Sequence, residues 1–304
     1  MSKLLSMREA VERFVPDGSS VLLGAGLEGL IPFAAGHEII RQHKRDLTLL
    51  APISDMLFDQ MIGAGCAAGI RAAWVGNVSA GLGHNFRRAA EHASPRPIEM
   101  IDYSNFTFSL ALQAAAQGVP FLPTHTALGS DLLLTNPDLQ PMESPYGGER
   151  LLAVRALTPD VAFISVQRAD VEGGAHCWGA LGVAVEGCGA ARNVVLVAEE
   201  IVDHDVILSD PNRILAPLFR VSAVVHEPRG CHPSPVQGYY GRDHAAYHEY
   251  HEQTRSPEGT QRWLDEWVYG VSDRSEYVAK LGQGRIGALA VQDHRTAALV
   301  DYGL

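Results

Sequence analysis

The chain has 304 residues, 46% of them hydrophobic and 19% charged, with a formal net charge of -11. That acidic balance excludes a general nucleic-acid binder, which carries a basic face, and the absence of an 18-residue apolar run argues against a membrane-spanning chain. A chain this long buries roughly 75% of its unfolded surface and needs no disulfides; four scattered cysteines (Cys66, Cys177, Cys188, Cys231) and no export leader predict a cytoplasmic protein with reduced thiols.

Residues 4–15, LLSMREAVERFV, place Leu4, Met7, Val11, Phe14 and Val15 on one helical stripe, which Pro16-Asp17-Gly18 breaks. SSVLLGAG (19–26) reads as a buried strand running into glycines. Pro32 suits the start of the next helix, where its missing N–H is harmless. The alternation continues with a strand at 46–52, a helix at 54–65 with Ser54 as candidate cap, a strand at 70–79 and a helix at 83–93. A strand at 98–104 and a helix at 105–118, ended by Gly118, follow. Short apolar runs alternating with helical patterns predict an α/β fold, a mostly parallel sheet flanked by helices. Residues 119–150, with Pro120, Pro123, Pro137, Pro141 and Pro145, read as an irregular excursion. Strand-like LLAVRAL, DVAFISVQ, NVVLVAEEIV and SAVVHEP come next, then amphipathic segments near 242–254, 257–270 and 273–282. No repeat or linker interrupts the chain, so 1–304 reads as a single domain.

In an open parallel sheet, ligands bind outside the carboxyl ends of the strands. Small and polar residues collect there: Gly24-Ala25-Gly26, Gly76-Asn77-Val78-Ser79, Asp102-Tyr103-Ser104-Asn105, Gln167 with Asp170, Glu199-Glu200, and residues 226–232. Gly24, Gly26 and Gly29 have G-x-G-x-x-G spacing, but no acidic residue clearly ends a second strand about 20 residues on, so they read as turn glycines. Glu199 and Glu200 are adjacent on a strand and face opposite sides, so at most one reaches a cleft. Ser130, in ALGSD, lacks the flanking glycines of a nucleophile elbow, yet its loop N–H groups could receive an anion. Arg87-Arg88 could touch phosphates, although two arginines on a helix usually face water.

His244, His248 and His251 fall at i, i+4 and i+7, on one face of a helix. That spacing could hold zinc, but Tyr247, Glu249, Tyr250 and Glu252 between them make an ordinary mixed amphipathic helix. No metal site is assigned.

DYSNFTFSLALQAAAQGVPFLP, ALGSD, VAEEIV, VVHEPRGCHPSPVQGYYGRD and EWVYGVSDRSEYVAKLG resemble the alpha subunit of family I CoA-transferases, the glutaconate type above all, from the first helix to about residue 290. The resemblance implies the CoA-transferase (NagB/RpiA-like) fold and a homologous beta subunit, in a hetero-oligomer with two or more alpha–beta pairs. It implies transfer of CoA from an acyl-CoA to a carboxylic acid, with coenzyme A as substrate and no other cofactor, and no nucleic-acid or membrane partner. The covalent glutamate of such enzymes belongs to the beta subunit, so no catalytic residue is expected in this chain. Carried over by position, the substrate-binding wall would comprise Gly24, Ala25, Gly26, Asn77, Ser79, Ser104, Asn105, Gly129, Ser130, Gln167 and His232. Where the glutaconate type has a basic pair before the proline, this chain has Leu30-Ile31, which implies a more apolar acyl group. A related branch hydrolyses a ring carbon–carbon bond in CoA-linked steroid fragments, with an acid at the place of Asn105. The alternatives are that hydrolase and a non-catalytic binding subunit.

Overall fold

A computed structural model describes residues 2–291; of the expected domain 1–304, residues 1 and 292–304 lie outside the described residues. The strands are β1 (Leu4–Leu5), β2 (Ser20–Leu22), β3 (Leu47–Ile53), β4 (Ala67–Trp74), β5 (Glu99–Asp102), β6 (Phe121–Thr124), β7 (Leu139–Glu143), β8 (Arg150–Arg155), β9 (Val161–Ala169), β10 (Ala175–His176), β11 (Asn193–Ile201) and β12 (Val221–His226). The large sheet has the order β1-β12-β11-β9-β2-β3-β4-β5, all parallel, with β10 added antiparallel to β9.

β9 and β11 are nearly continuous runs of Val, Ile, Leu, Phe and Ala, as a strand covered on both faces requires. Their side chains alternate between two cores. Phe163 and Val195 enter one, Ile164 and Leu196 the other. Helices α1 (Met7–Phe14), α2 (Phe33–Arg41), α3 (Asp55–Gly63) and α4 (His84–His92) contribute to the first core. So do Tyr247 and Tyr250 of a helix named below. The second core is covered by α5 (Asn105–Ala116), then α6 (Leu132–Thr135) and α7 (Ala184–Ala190). The remaining helices are α8 (His204–Leu208), α9 (His244–Gln253), α10 (Pro257–Leu264), α11 (Arg274–Leu281) and α12 (Gln283–Leu289).

Local chemistry sets the helix starts. Ser6 and Glu9 form a reciprocal capping box on α1. Ser104 and Thr107 do the same on α5, Asp243 caps α9, and Ser256 caps α10 with Pro257 at its first position. Ser54 precedes α3 but makes no capping hydrogen bond; its Oγ is buried without a partner among the described residues.

Two expectations are corrected. The first helix begins at Met7, because Leu4–Leu5 pair with β12 as an edge strand. Residues 119–150 are only partly irregular: among the turns, β6 and β7 flank β8 in a three-stranded antiparallel sheet, and β8 belongs there rather than to the parallel sheet. Pro123 and Pro141 lie on the two outer strands, where a missing N–H costs no ladder bond. Asp138 fastens this sheet to the large one, accepting from the Tyr103 hydroxyl at 2.7 Å and from the Arg71 guanidinium.

Candidate active-site cleft

From β2 the chain steps through β3 and β4 to β5 at one edge, then returns to β9 beside β2 and proceeds to β11 and β12. Loops leaving β2 and β9 therefore diverge, and the crevice between them is the binding position physics assigns to such a sheet. On the β2 side Gly24 has φ +83, and a Cβ there would lie 2.7 Å from the Ile53 carbonyl oxygen, so only glycine makes this turn. The N–H groups of Ala25 and Gly26 donate to no acceptor among the described residues. On the β9 side Gln167 is fully buried, its Nε2 donating to Trp178 O at 2.9 Å and its Oε1 accepting from Trp178 N at 3.3 Å. That double bond clamps the segment after β10. Val183 N then reaches back to Ala25 O at 2.8 Å, and Gly182 lies so close that a Cβ would overlap the same carbonyl.

The neighbouring loops are laced together by Arg242, which pairs with both Asp55 and Glu28. Asp55, wholly buried with φ +52, accepts from Val78 N at 2.9 Å and from Arg242 Nη1 at 3.0 Å. Arg242 Nη2 donates to Glu28 O at 2.8 Å. The loops after β2, β3 and β4 are thereby tied to the entry of α9. Burial pushes the Asp55 carboxyl upward, opposed by the Val78 N–H and Arg242.

The site residues expected from sequence fall into three groups. Gly24, Ala25, Gly26 and Gln167 meet at the crevice, with Asn77 and Ser79 two strands along. Asn77 is buried and spent on its own loop, donating to Tyr247 O at 2.9 Å and accepting from Ser79 N and Ala80 N. Ser79 Oγ is half-exposed and pairs with His244 Nδ1 at 3.0 Å. Ser104 and Asn105 follow β5, three strands from β2 and so roughly 14 Å away at strand spacing; the Gly129-Ser130 turn shortly precedes α6, which also packs against β5. There Ser104 Oγ caps α5, Ser130 Oγ donates to Ala127 O, and Asn105 and Gly129 are exposed.

His232 does not reach the cleft surface. It is fully buried, its ring nitrogens bonded to Asp243 Oδ2 at 2.9 Å and to the Tyr277 hydroxyl at 3.0 Å. Burial pushes its imidazole down to about 4, so the ring is neutral at pH 7, Nε2–H donating to the carboxylate and Nδ1 accepting from tyrosine. Burial raises Asp243, but bonds from His232 and Arg285 win and hold it below the usual carboxylate range. Glu199 is likewise buried, accepting from the Tyr240 hydroxyl at 2.5 Å and Arg229 N at 2.7 Å, while Glu200 faces the other way. Leu30 and Ile31 are 3% and 0% exposed, so they are core residues and the apolar acyl group inferred from them loses its basis.

Arg88 is committed to Asn85, Thr254 O and Thr260, and Arg87 to Glu91. The three helix histidines part company. His244 bonds Ser79, His251 lies against His84 with ring centroids 4.3 Å apart and planes tilted by 34°, and His248 is exposed. Among the described residues no cluster of three or more His, Cys, Asp or Glu could hold a metal. Sequence reading missed Asp55, Trp178, Gly182 and Arg242. The one available signal was CWGALG, where Gly179 and Gly182 interrupt a segment between strands.

The profile of the family described as Coenzyme A transferase matches residues 4–227. The 3-oxoadipate CoA-transferase A subunit of Pseudomonas knackmussii is 42% identical over 286 residues, covering 94% of this chain and 100% of the relative. The glutaconate CoA-transferase A subunit of Acidaminococcus fermentans is 31% identical over 307 residues, covering 96% and 95%. The crystal structure of glutaconate coenzyme A-transferase from Acidaminococcus fermentans superposes with a TM-score of 0.90 at 30% identity, covering 96% of each chain.

Proposed function

The chain belongs to the coenzyme A transferase family, and from that premise we propose that it is the alpha-type half of an enzyme moving CoA from an acyl-CoA thioester to an aliphatic dicarboxylic acid of the 3-oxoadipate type. A beta subunit supplies the attacking glutamate. That carboxylate adds to the thioester carbonyl and expels CoA thiolate, leaving an acyl-glutamyl anhydride. The thiolate attacks the glutamyl carbonyl, releasing the first acid and forming a glutamyl-CoA thioester. The acceptor carboxylate attacks that carbonyl in turn, and returning CoA thiolate takes the new acyl group and frees the glutamate. Covalent catalysis thus splits one hard exchange into easier steps.

The observation that carries this reading is the pair of unspent N–H groups at Ala25 and Gly26, on the turn at the mouth of the crevice. Donors held there would stabilise the tetrahedral oxyanions each step creates. Glutamates of this chain near the crevice are engaged: Glu199 is buried between Tyr240 and Arg229, and Glu28 pairs with Arg242 at 3.4 Å. Asn105, exposed and neutral at the start of α5, gives the ring-opening hydrolase no acid there. We assign no cofactor beyond CoA as substrate. A cytoplasmic location agrees with four buried, unpaired cysteines, and no helix among the described residues is long and apolar enough to cross a membrane.

The test is to incubate the co-purified alpha–beta complex with acyl-CoA and reduce with borohydride. The glutamyl thioester should be trapped on the beta chain; a modified Glu28 or Glu199 in this chain would overturn the division of labour.

A further inference from the structure

Beside the crevice, two buried polar atoms lack partners among the described residues: Trp178 Nε1 and Gln237 Oε1. Leaving such an atom unpaired carries a desolvation cost, which a ligand that pairs it removes. Their surroundings are built to hold them. Gln167 bonds the Trp178 backbone from both sides and also donates to Gln237 O at 3.4 Å. Gly179 has φ +90, and a Cβ there would lie 2.7 Å from Gln237 Cδ. A Cβ on Gly238 would approach Trp178 Nε1 to 3.4 Å, and one on Gly29 the Gln237 amide to 3.9 Å. Side chains at those three positions would crowd the space these two groups face.

Two guanidinium groups flank the indole, that of Arg213 paired with Asp210 at 2.9 Å, while the nearby Glu200 carboxylate is held by the Tyr239 hydroxyl at 2.7 Å. Arg168 Cζ lies 5.4 Å from the Trp178 ring centroid and Arg213 Cζ lies 5.1 Å from it. Arg168 Nε donates to His176 Nδ1 at 3.2 Å, and its terminal nitrogens donate to none of the described residues. An indole nitrogen can only donate, and a glutamine amide turned by a half-rotation presents N–H where its oxygen stood. Both groups would then be donors, and the guanidinium beside the indole would favour an anionic acceptor.

We propose that Trp178, Gln237 and Arg168 form a subsite for the second, non-reacting carboxylate of a dicarboxylic acyl group, and so determine acid specificity. The inference rests on the CoA-transfer reading and deepens it. A site that binds a substrate polar group rejects the analogue lacking it, because its own donors are then left unpaired.

The experiment compares 3-oxoadipate with 3-oxohexanoate, acids of equal length that differ only at the far end. Initial rates are measured with the alpha–beta complex, using acetyl-CoA and succinyl-CoA in turn as donors. Wild type should prefer the diacid, and R168M and Q237M should each lower the ratio of kcat/KM for the two acids tenfold or more, mainly through KM. Q237E should lower it further by charge repulsion. Thermal melts identify a variant that fails to fold, and the other then decides. The subsite is overturned if wild type shows a ratio near one, or if the folded variants lose activity equally toward both acids. Equal loss would place the anion on CoA or make the residues structural. Failure to transfer CoA from either donor to either acid would sink the transfer reading instead.

Discussion

His232 and Asp243 are joined by one hydrogen bond of 2.9 Å inside the protein, a neutral imidazole donating to an ionised carboxylate. Arg285 closes the carboxylate from the other side, and the Arg274 guanidinium donates to the His232 carbonyl. The turn after β12 is thereby bonded to the start of α9, to α11 and to α12. His232 works as the anchor of the wall that carries Pro235 and Gln237.

That anchor predicts acid sensitivity. A histidine whose folded pKa is pushed down to about 4 binds protons more readily when unfolded, where its pKa is about 6.5. Its neutral form is fully favourable above about 6.5. As pH falls from there through about 4, stability is lost, by roughly 3 kcal/mol at most. Urea denaturation at a series of pH values should show this slope. H232Q should be less stable at pH 7.5 by about 2–4 kcal/mol, through the broken network, and should have a flatter profile in this window. An unchanged slope in H232Q would refute the assignment.

Glu227 should act in the opposite sense. It lies half-buried in an open groove of about 770 Å³, lined also by Arg8, Arg41 and Arg274. Burial raises its carboxyl to about 7, so ionisation disfavours the folded state as pH climbs from about 4.5 to 7. E227Q should therefore stabilise the chain at pH 8, by about 1–2 kcal/mol after allowance for solvent, with the gain vanishing below about pH 4.5. A destabilised E227Q at pH 8 would show that the carboxylate is held by a partner.

Gly182 meets the Ala25 carbonyl, so G182A must move the turn bearing the unspent N–H groups. We expect kcat of the alpha–beta complex to fall about 10–100-fold, since a displacement near 1 Å can cost that much. G118A is the control, because Gly118 has a comparable φ of +71 and open space around it. It should lose only about 1 kcal/mol of stability and keep its activity. Equal activity loss in both variants would mean that general destabilisation, not the turn, is responsible.

The Asp55–Arg242 pair makes a coupling prediction. R242A leaves a wholly buried carboxylate without its cation and should cost about 3 kcal/mol. In D55N/R242A the second change removes that stranded charge, so the double variant should lose less than the sum of the singles by at least about 1 kcal/mol. Additive losses in urea titrations would show that the two side chains do not depend on each other.

The parallel sheet was legible because β9, β11 and β12 carry nearly continuous apolar runs, and because glycines mark the carboxyl end of β2. The small sheet was not, because Pro123 and Pro141 read as breakers until their strands are seen to be edges. At the candidate site, Gly24 and Gln167 were expected from their position at strand ends, and the structure places both beside the crevice. Asn77 and His232 had the right chemistry, but their hydrogen bonds are consumed internally, which no spacing reveals. Trp178 and Gln237 were missed because they come together only when β9 holds two distant loops, through Gln167. Leu30-Ile31 misled for the same reason: a pair that aligns with a binding position can still point into the core.

The three-stranded sheet has its own bearing on assembly. Each outer strand carries a proline, at 123 and at 141, so neither offers a full row of backbone donors for another polypeptide to zip onto. A companion chain docking on that flank would have to hold on by side chains, through shape and charge, and aggregation by runaway strand addition is blocked there at the same stroke.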